Sequence, residues 1–330
     1  MKQHRTLKII GIVLVFAILF FVVVNVIPPA KNVENNPFVV AQGELPKVAA
    51  HRGGAINHPE NTMLAFREAV AMGVDILESD LYLTKDGYLV YNHDEYIDDT
   101  CNVNGDVPHD QAKENRHYIK DMTLAELQQY NFGYYFTDAS GNRPYAQVED
   151  IEAAGLQMAT VDQLFEEFYQ ANPDLLFIVE IKDEGDRGRE ACRILNETLS
   201  KYPAYAENIV VGTFHDEIEQ ELKTNYPDLL RGAPTGTAAS FILTQFLGVN
   251  LFDRGDFACL QIPMSYDVVI TLDLDKQTLI DRAHKRNIAV QYWTINDPDE
   301  MRTLIELGCD AIMTDDPALL IQILEEYQTN

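Results

Sequence analysis

The chain has 330 residues, 46% of them hydrophobic, enough for a substantial buried core and too many for a disordered chain. Its formal net charge is −27; the first 27 residues carry three cations and no acid, leaving 22 cations against 52 acids in the remainder. Such a surface repels polyanions, which argues against a nucleic-acid partner and against adhesion to anionic lipid through a basic patch.

In chain order, residues 1–8 are basic and residues 9–27 form the uncharged run IIGIVLVFAILFFVVVNVI. Nineteen residues at about 1.5 Å each reach roughly 28 Å as a helix, close to a hydrocarbon core. The basic flank predicts a single-pass transmembrane signal anchor in the cell membrane, with a cytoplasmic N-terminus and the rest extracytoplasmic. A cleaved signal peptide is the alternative, but the run is long and VIPPAKN follows it rather than a small-x-small site. Residues 28–46, rich in Pro and Asn, read as a linker.

From Lys47 to the C-terminus, short apolar β-type runs alternate with amphipathic stretches. The runs are KVAAHR (47–52), DILESDLYLT (75–84), LLFIVEIK (175–182), NIVVGTF (208–214), LLRGAP (229–234), CLQIPMSYD (259–267), AVQYWTIN (289–296) and AIMTDD (311–316). Helices are expected between them, for example over 62–73, 161–170 and 298–308. Eight such units predict an α/β fold, a (β/α)8 TIM barrel over 47–330. An open doubly wound sheet is disfavoured because no glycine-rich phosphate loop follows the first run. YLVYNHD (88–94) reads as an extra strand, and 95–158 as an insertion after the second strand with one helix over 123–132. That insertion, rich in Tyr and Phe, is either a satellite core or a cap over the site. The cysteines Cys101, Cys192, Cys259 and Cys309 have no paired spacing and read as free or buried thiols.

Chemistry in such a barrel collects at the C-terminal ends of the strands. There the sequence places His51 and Arg52, Glu78 and Asp80, His93 and Asp94, Glu180 and Lys182, and Trp293 and Asn296. Side chains at i and i+2 share a strand face, so Glu78 points with Asp80, and Glu180 with Lys182. Three converging carboxylates repel unless a cation joins them, and oxygen ligands suit Mg²⁺, Ca²⁺ or Mn²⁺. The alternative is that these acids form structural ion pairs with Arg52 and Lys182. Two histidines beside such a site fit in-line phosphoryl chemistry, one taking a proton and the other returning one.

The motifs HRGGAINHPENT (51–62), ESDLYLTKDG (78–87), HDEYIDDT (93–100), VEIK (179–182) and WTIND (293–297) resemble those of glycerophosphodiester phosphodiesterases, in the same order, from about Lys47 onward. The resemblance implies a TIM barrel with an insertion after the second strand. It implies His51 and His93 as the acid–base pair, without saying which is which. It further implies one divalent cation, Ca²⁺ or Mg²⁺, on Glu78, Asp80 and Glu180, and substrate contacts from Arg52, Lys182 and Trp293. Within the PENT element, Asn61 or Thr62 is expected to cap a helix, with Glu60 in support. His58, His109, His117 and His284 have no motif partner and are expected at the surface; His215 and Gln261 reach the mouth without an assigned role. The expected activity is hydrolysis of a small-molecule or lipid-derived phosphodiester to an alcohol and glycerol 3-phosphate. The rivals are phospholipase D-like action on lysophospholipids or polyglycerolphosphate polymers, and a non-catalytic binding module.

Overall fold

The computed structural model describes residues 2–253, 255–267 and 271–328. Its strands are β1 (Lys47–Ala50), β2 (Ile76–Leu83), β3 (Leu89–Tyr91), β4 (Leu176–Ile181), β5 (Ile209–Gly212), β6 (Leu230–Arg231), β7 (Cys259–Ile262), β8 (Ser265–Asp267), β9 (Thr271–Asp273), β10 (Ala289–Tyr292) and β11 (Ala311–Thr314). The helices are α1 (Lys2–Val26), α2 (Met63–Met72), α3 (His109–Ala112), α4 (Leu124–Leu127), α5 (Val161–Phe168), α6 (Gly185–Leu199), α7 (Pro203–Glu207), α8 (Asp216–Asn225), α9 (Thr235–Phe246), α10 (Gln277–His284), α11 (Pro298–Leu307) and α12 (Pro317–Gln328).

Eight strands run parallel in the order β6-β5-β4-β2-β1-β11-β10-β7. A parallel bridge from Gly232 to Cys259 joins the two ends, with Ala233 N–H donating to Cys259 O at 2.9 Å. The expected TIM barrel is therefore present, and each expected run contributes one barrel strand. Each strand is shorter than its run. β7 stops at Ile262 and the chain leaves into the β8–β9 hairpin, and β10 stops at Tyr292.

Alternation along the strands sorts the core into two layers. Ala49, Ile76, Ile178, Val210, Cys259, Ala289, Ala311 and Met313 belong to the cluster inside the barrel. Their neighbours Ala50, Leu77, Phe177, Val179, Val211 and Ile312 pack outward against the helices. Period-2 geometry then carries Glu78 and Asp80 inward after Ile76, Glu180 and Lys182 after Ile178, and Asp315 after Met313. The β2–β4 register sets Asp80 directly beside Glu180.

The segment read as a linker is not a free spacer. Phe38 is completely buried and joins the inner cluster, so it plugs the N-terminal end of the barrel. The side-chain amides of Asn32 and Asn36 donate to the carbonyls of Gly255, Phe257, Ala258 and Asn287. Val40 N–H donates to the buried Asp310 carboxylate at 2.8 Å. The two asparagines here satisfy barrel-end backbone carbonyls that would otherwise lack partners.

β3 pairs antiparallel with β2 across the Lys85–Asp86–Gly87 turn. The insertion has its own core, with Ile97, Cys101, Ile119, Leu127 and Phe132 packed against Val90 and Met158. Its expected helix is reduced to α4, one turn started by a capping box between Thr123 and Glu126. All four cysteines are buried and free. α1 contains Lys8–Val26, a stretch long and apolar enough to cross a membrane, a test that a signal sequence also passes.

Candidate active site

His51 and Arg52 follow β1 in a one-turn 3₁₀ segment, rather than ending the strand itself. Arg52, Gly53 and Gly54 have φ of 52°, 82° and 94°, a left-handed run that suits the glycines and strains the arginine. Two contacts hold Arg52 there. Its N–H donates to Glu78 Oε2 at 2.9 Å, and its guanidinium meets Glu60 at 3.1 Å. Asn61, at φ 56°, donates its N–H to Arg52 O. Thr62, not Asn61, caps α2, its hydroxyl accepting from Ala65 N–H.

His51 is braced from the opposite end of the chain. Its Nδ1 lies 2.5 Å from Asp315 Oδ1, and Nε2 lies 3.8 Å from Glu78 Oε2. Burial is the largest influence and disfavours the imidazolium, yet the Asp315 bond and the charges of Glu78 and Asp315 together raise the His51 pKa. Burial would likewise raise Asp315, but the His51 bond and the neighbouring positive groups hold it below the usual carboxylate range. Asn296 fixes Asp315 in turn, donating to Oδ2 at 2.7 Å and accepting from Asp315 N–H at 2.9 Å. Asp315 is not among the residues expected from sequence; its signal there is the inward register Ala311, Met313, Asp315.

The acids form a second linked set. Glu78 is pushed up to about 7, chiefly by burial and next by the Asp80 charge. Lys182 Nζ lies 3.2 Å from both Asp80 Oδ1 and Glu180 Oε1, and Arg52 Nε is 3.8 Å from Asp80 Oδ2. Burial opposes the charged Lys182, but the two carboxylates outweigh it and raise its pKa. Burial also raises Glu180, against the pull of Lys182. Asp80 is 3% exposed, and its Oδ2 is buried without a hydrogen-bond partner.

The expected trio is therefore interleaved with Lys182. Among the described residues, the groups whose ligand atoms lie within 4.8 Å of one another are instead Glu184, His215 and Glu217. Glu184 is largely exposed, and exposed acids cluster without any ion. The buried orphan oxygen of Asp80 and the strained ionisation of Glu78 mark the inner trio as the better fit to a cation.

His93 follows β3 in a bend, its Nδ1 3.0 Å from Asp94 Oδ1. The Asn92 amide shapes this bend by donating to the carbonyls of Asp94 and Tyr96. His93 and Arg52 line a cavity of about 230 Å³, walled on the far side by the insertion through Tyr96, His109, Phe132 and Tyr135. The insertion is thus both a satellite core and a wall of this cavity. Trp293 follows β10 at the same mouth, 38% exposed, and does not line the cavity.

Of the histidines expected at the surface, His109 and His117 are exposed and His284 is half-buried, and each has an acidic partner. His109 stacks on Tyr135 and pairs with Asp99, His117 pairs with the buried Asp98, and His284 with the buried Asp310. His215 bonds Lys182 O, and Gln261 bonds Gln291 inside the barrel.

The profile of the "Glycerophosphoryl diester phosphodiesterase family" matches residues 51–319. A glycerophosphodiester phosphodiesterase of Caldanaerobacter subterraneus subsp. tengcongensis is 27% identical over 279 residues, covering 84% of this chain and 98% of the relative. A crystal structure described as a putative glycerophosphoryl diester phosphodiesterase of Silicibacter pomeroyi superposes with a TM-score of 0.66 at 20% identity, over 89% of this chain and 99% of the other. An Oleispira antarctica phosphodiesterase, solved with the product sn-glycerol-3-phosphate, gives 0.61 at 21% identity, over 85% and 97%. Fold, motif order and family profile agree: the chain belongs to the glycerophosphoryl diester phosphodiesterase family and is a phosphodiester-hydrolysing enzyme.

Proposed function

We propose that the enzyme hydrolyses glycerophosphodiesters to glycerol 3-phosphate and an alcohol, with His51 and His93 moving protons and one divalent cation on Glu78, Asp80 and Glu180. The observation that carries this reading is His51, tethered to Asp315 on one nitrogen and turned toward buried Glu78 on the other. The cation, Ca²⁺, Mg²⁺ or Mn²⁺, would when bound supply positive charge to the phosphate oxygens.

The chain's own groups do the rest. Arg52 and Lys182 flank Asp80 and add positive charge where the phosphate would sit. Tethering of Nδ1 makes Nε2 the nitrogen of His51 that exchanges a proton, and it takes one from the water that attacks phosphorus. The new P–O bond forms as the P–O bond to the alcohol breaks. His93, on the wall of the cavity, returns a proton to the departing oxygen, and the cavity holds the alcohol. Trp293 at the mouth would contact the glycerol end.

The N-terminal run serves as an uncleaved single-pass anchor with the barrel outside the membrane, supported by the length and hydropathy of Lys8–Val26.

A leaving-group comparison tests the roles. General acid catalysis contributes roughly 10²- to 10⁴-fold when the leaving oxygen is basic. His93→Ala is expected to lose far more kcat on glycerophosphocholine than on a nitrophenyl glycerophosphodiester, whose leaving oxygen needs no proton. Equal losses on both would remove His93 from that role.

A further inference from the structure

In a sequence with 23% charged residues, none occurs between Arg231 and Asp253. α9 lies in this stretch. It buries Ala238, Phe241 and Gln245, while Leu243, Phe246 and Leu247 form another face at i, i+3 and i+4 spacing. Those three are 58%, 47% and 58% exposed, and Phe252, in the 3₁₀ turn Asn250–Phe252 just beyond, is 57% exposed.

This apolar face is continuous with α1. The Phe20 and Phe252 rings stack with centroids 6.1 Å apart, and the Asn25 amide donates to Gly248 O at 3.0 Å. Phe20 precedes Val26 by six residues, about 9 Å along a helix. A bilayer that covers the apolar run to Val26 therefore covers Phe252 as well. Cations stand at the edge of the patch. A Cβ at Gly248 would lie 3.9 Å from both the Arg282 guanidinium and the Asn25 amide, and Lys285 is exposed just past α10. In an acidic domain, these are side chains suited to lipid phosphates.

Topology fixes the consequence. A barrel helix runs back to the N-terminal ends of the strands, so the end of α9 lies at the end plugged by Phe38. His51, Asp80, Glu180 and Lys182 lie at the other end. We infer that the 243–252 segment is a foot seated in the lipid bilayer beside α1, which holds the plugged end of the barrel down and turns the catalytic mouth away from the anchoring membrane. The enzyme then takes its diester from the aqueous side, not from the leaflet in which it is anchored. This rests on the anchor reading above.

The test uses the full chain reconstituted in phosphatidylcholine–phosphatidylglycerol vesicles containing lipids brominated on the acyl chains. Because the native cysteines are buried, a single introduced cysteine takes a fluorescent label. Three sites are compared: Phe16→Cys in α1, Leu247→Cys in the foot, and Tyr88→Cys, exposed beyond the mouth in the β2–β3 turn. Labels at 16 and 247 are expected to lose most of their emission to the bromines, and the label at 88 none. Quenching at 16 without quenching at 247 overturns the foot alone, and a chain that is then dimeric in detergent assigns the patch to a second copy. Quenching at 88 overturns the orientation. No quenching at 16 overturns the anchor reading, and the foot with it.

Discussion

Asp315→Asn isolates the brace on His51 at the cost of a single atom. The asparagine carbonyl can still accept from Asn296, so the β11 end keeps its position. Its amide then faces His51 Nδ1, where a carboxylate now stands 2.5 Å away. An NH₂ in that place makes Nδ1 the acceptor and puts the ring proton on Nε2, the nitrogen required to take one. A hydrogen bond to a charged group contributes about 1.5–3 kcal/mol, and at about 1.36 kcal/mol per decade its loss lowers kcat by roughly 10- to 150-fold. The misplaced tautomer adds to that loss. Glycerol 3-phosphate release measured by a coupled assay gives kcat and KM, and a thermal melt reports folding. The expected result is a fall in kcat with an unchanged melt. An unchanged kcat would show that His51 is not positioned through Asp315.

Asp80→Asn should weaken divalent-cation binding measured by calorimetry while the protein stays folded, since an amide keeps the volume and loses the charge; unaltered affinity would remove Asp80 from the ligand set. Phe38→Ala empties the barrel's lower plug and should cost about 3–5 kcal/mol in denaturant unfolding, the range for a buried phenylalanine; a change near zero would return this segment to a free linker. The Asp310 bond, as the largest influence, raises the His284 pKa above 6.5, against burial, and the charges of Asp310 and Asp281 add to it. The charged form is thus favoured by folding: its stabilisation is complete below pH 6.5 and fades as pH rises through the raised folded value. The melting-temperature advantage over His284→Gln should therefore shrink from pH 6 upward, and an advantage that grows would reverse the assignment.

The barrel was legible because its strands announce themselves by composition. LLFIVEIK and AIMTDD are apolar runs that break into charge only at the mouth, and the inward register of Ile76, Glu78 and Asp80 follows from period 2 alone. Asp315 ends the AIMTDD run outside the motifs that carry the resemblance, beside a second aspartate. Asp316 accepts from Leu319 N–H at the head of α12, so two adjacent aspartates have different roles that composition does not separate. The 28–46 segment misled for a related reason. Asparagine signals loops because it bonds locally and proline because its φ is fixed, whereas here Asn32 and Asn36 bond across the barrel end and Phe38 is buried in the inner cluster. Lys182 reads from sequence both as a substrate contact and as an ion-pair partner of the acids; side-chain geometry places it between two of the expected metal ligands, a position strand spacing cannot resolve. His109 was unreadable because the fold of the insertion, not any motif, brings it to the wall opposite His93.

The most direct measurement strips the full chain with a chelator, adds back Ca²⁺, Mg²⁺ or Mn²⁺ singly, and follows glycerol 3-phosphate released from glycerophosphocholine by the parent chain and by His51→Ala. The stripped chain is expected to release none, at least one cation to restore release, and no cation to restore it in the variant. Full activity in the stripped chain, or an active His51→Ala, would contradict the proposed roles.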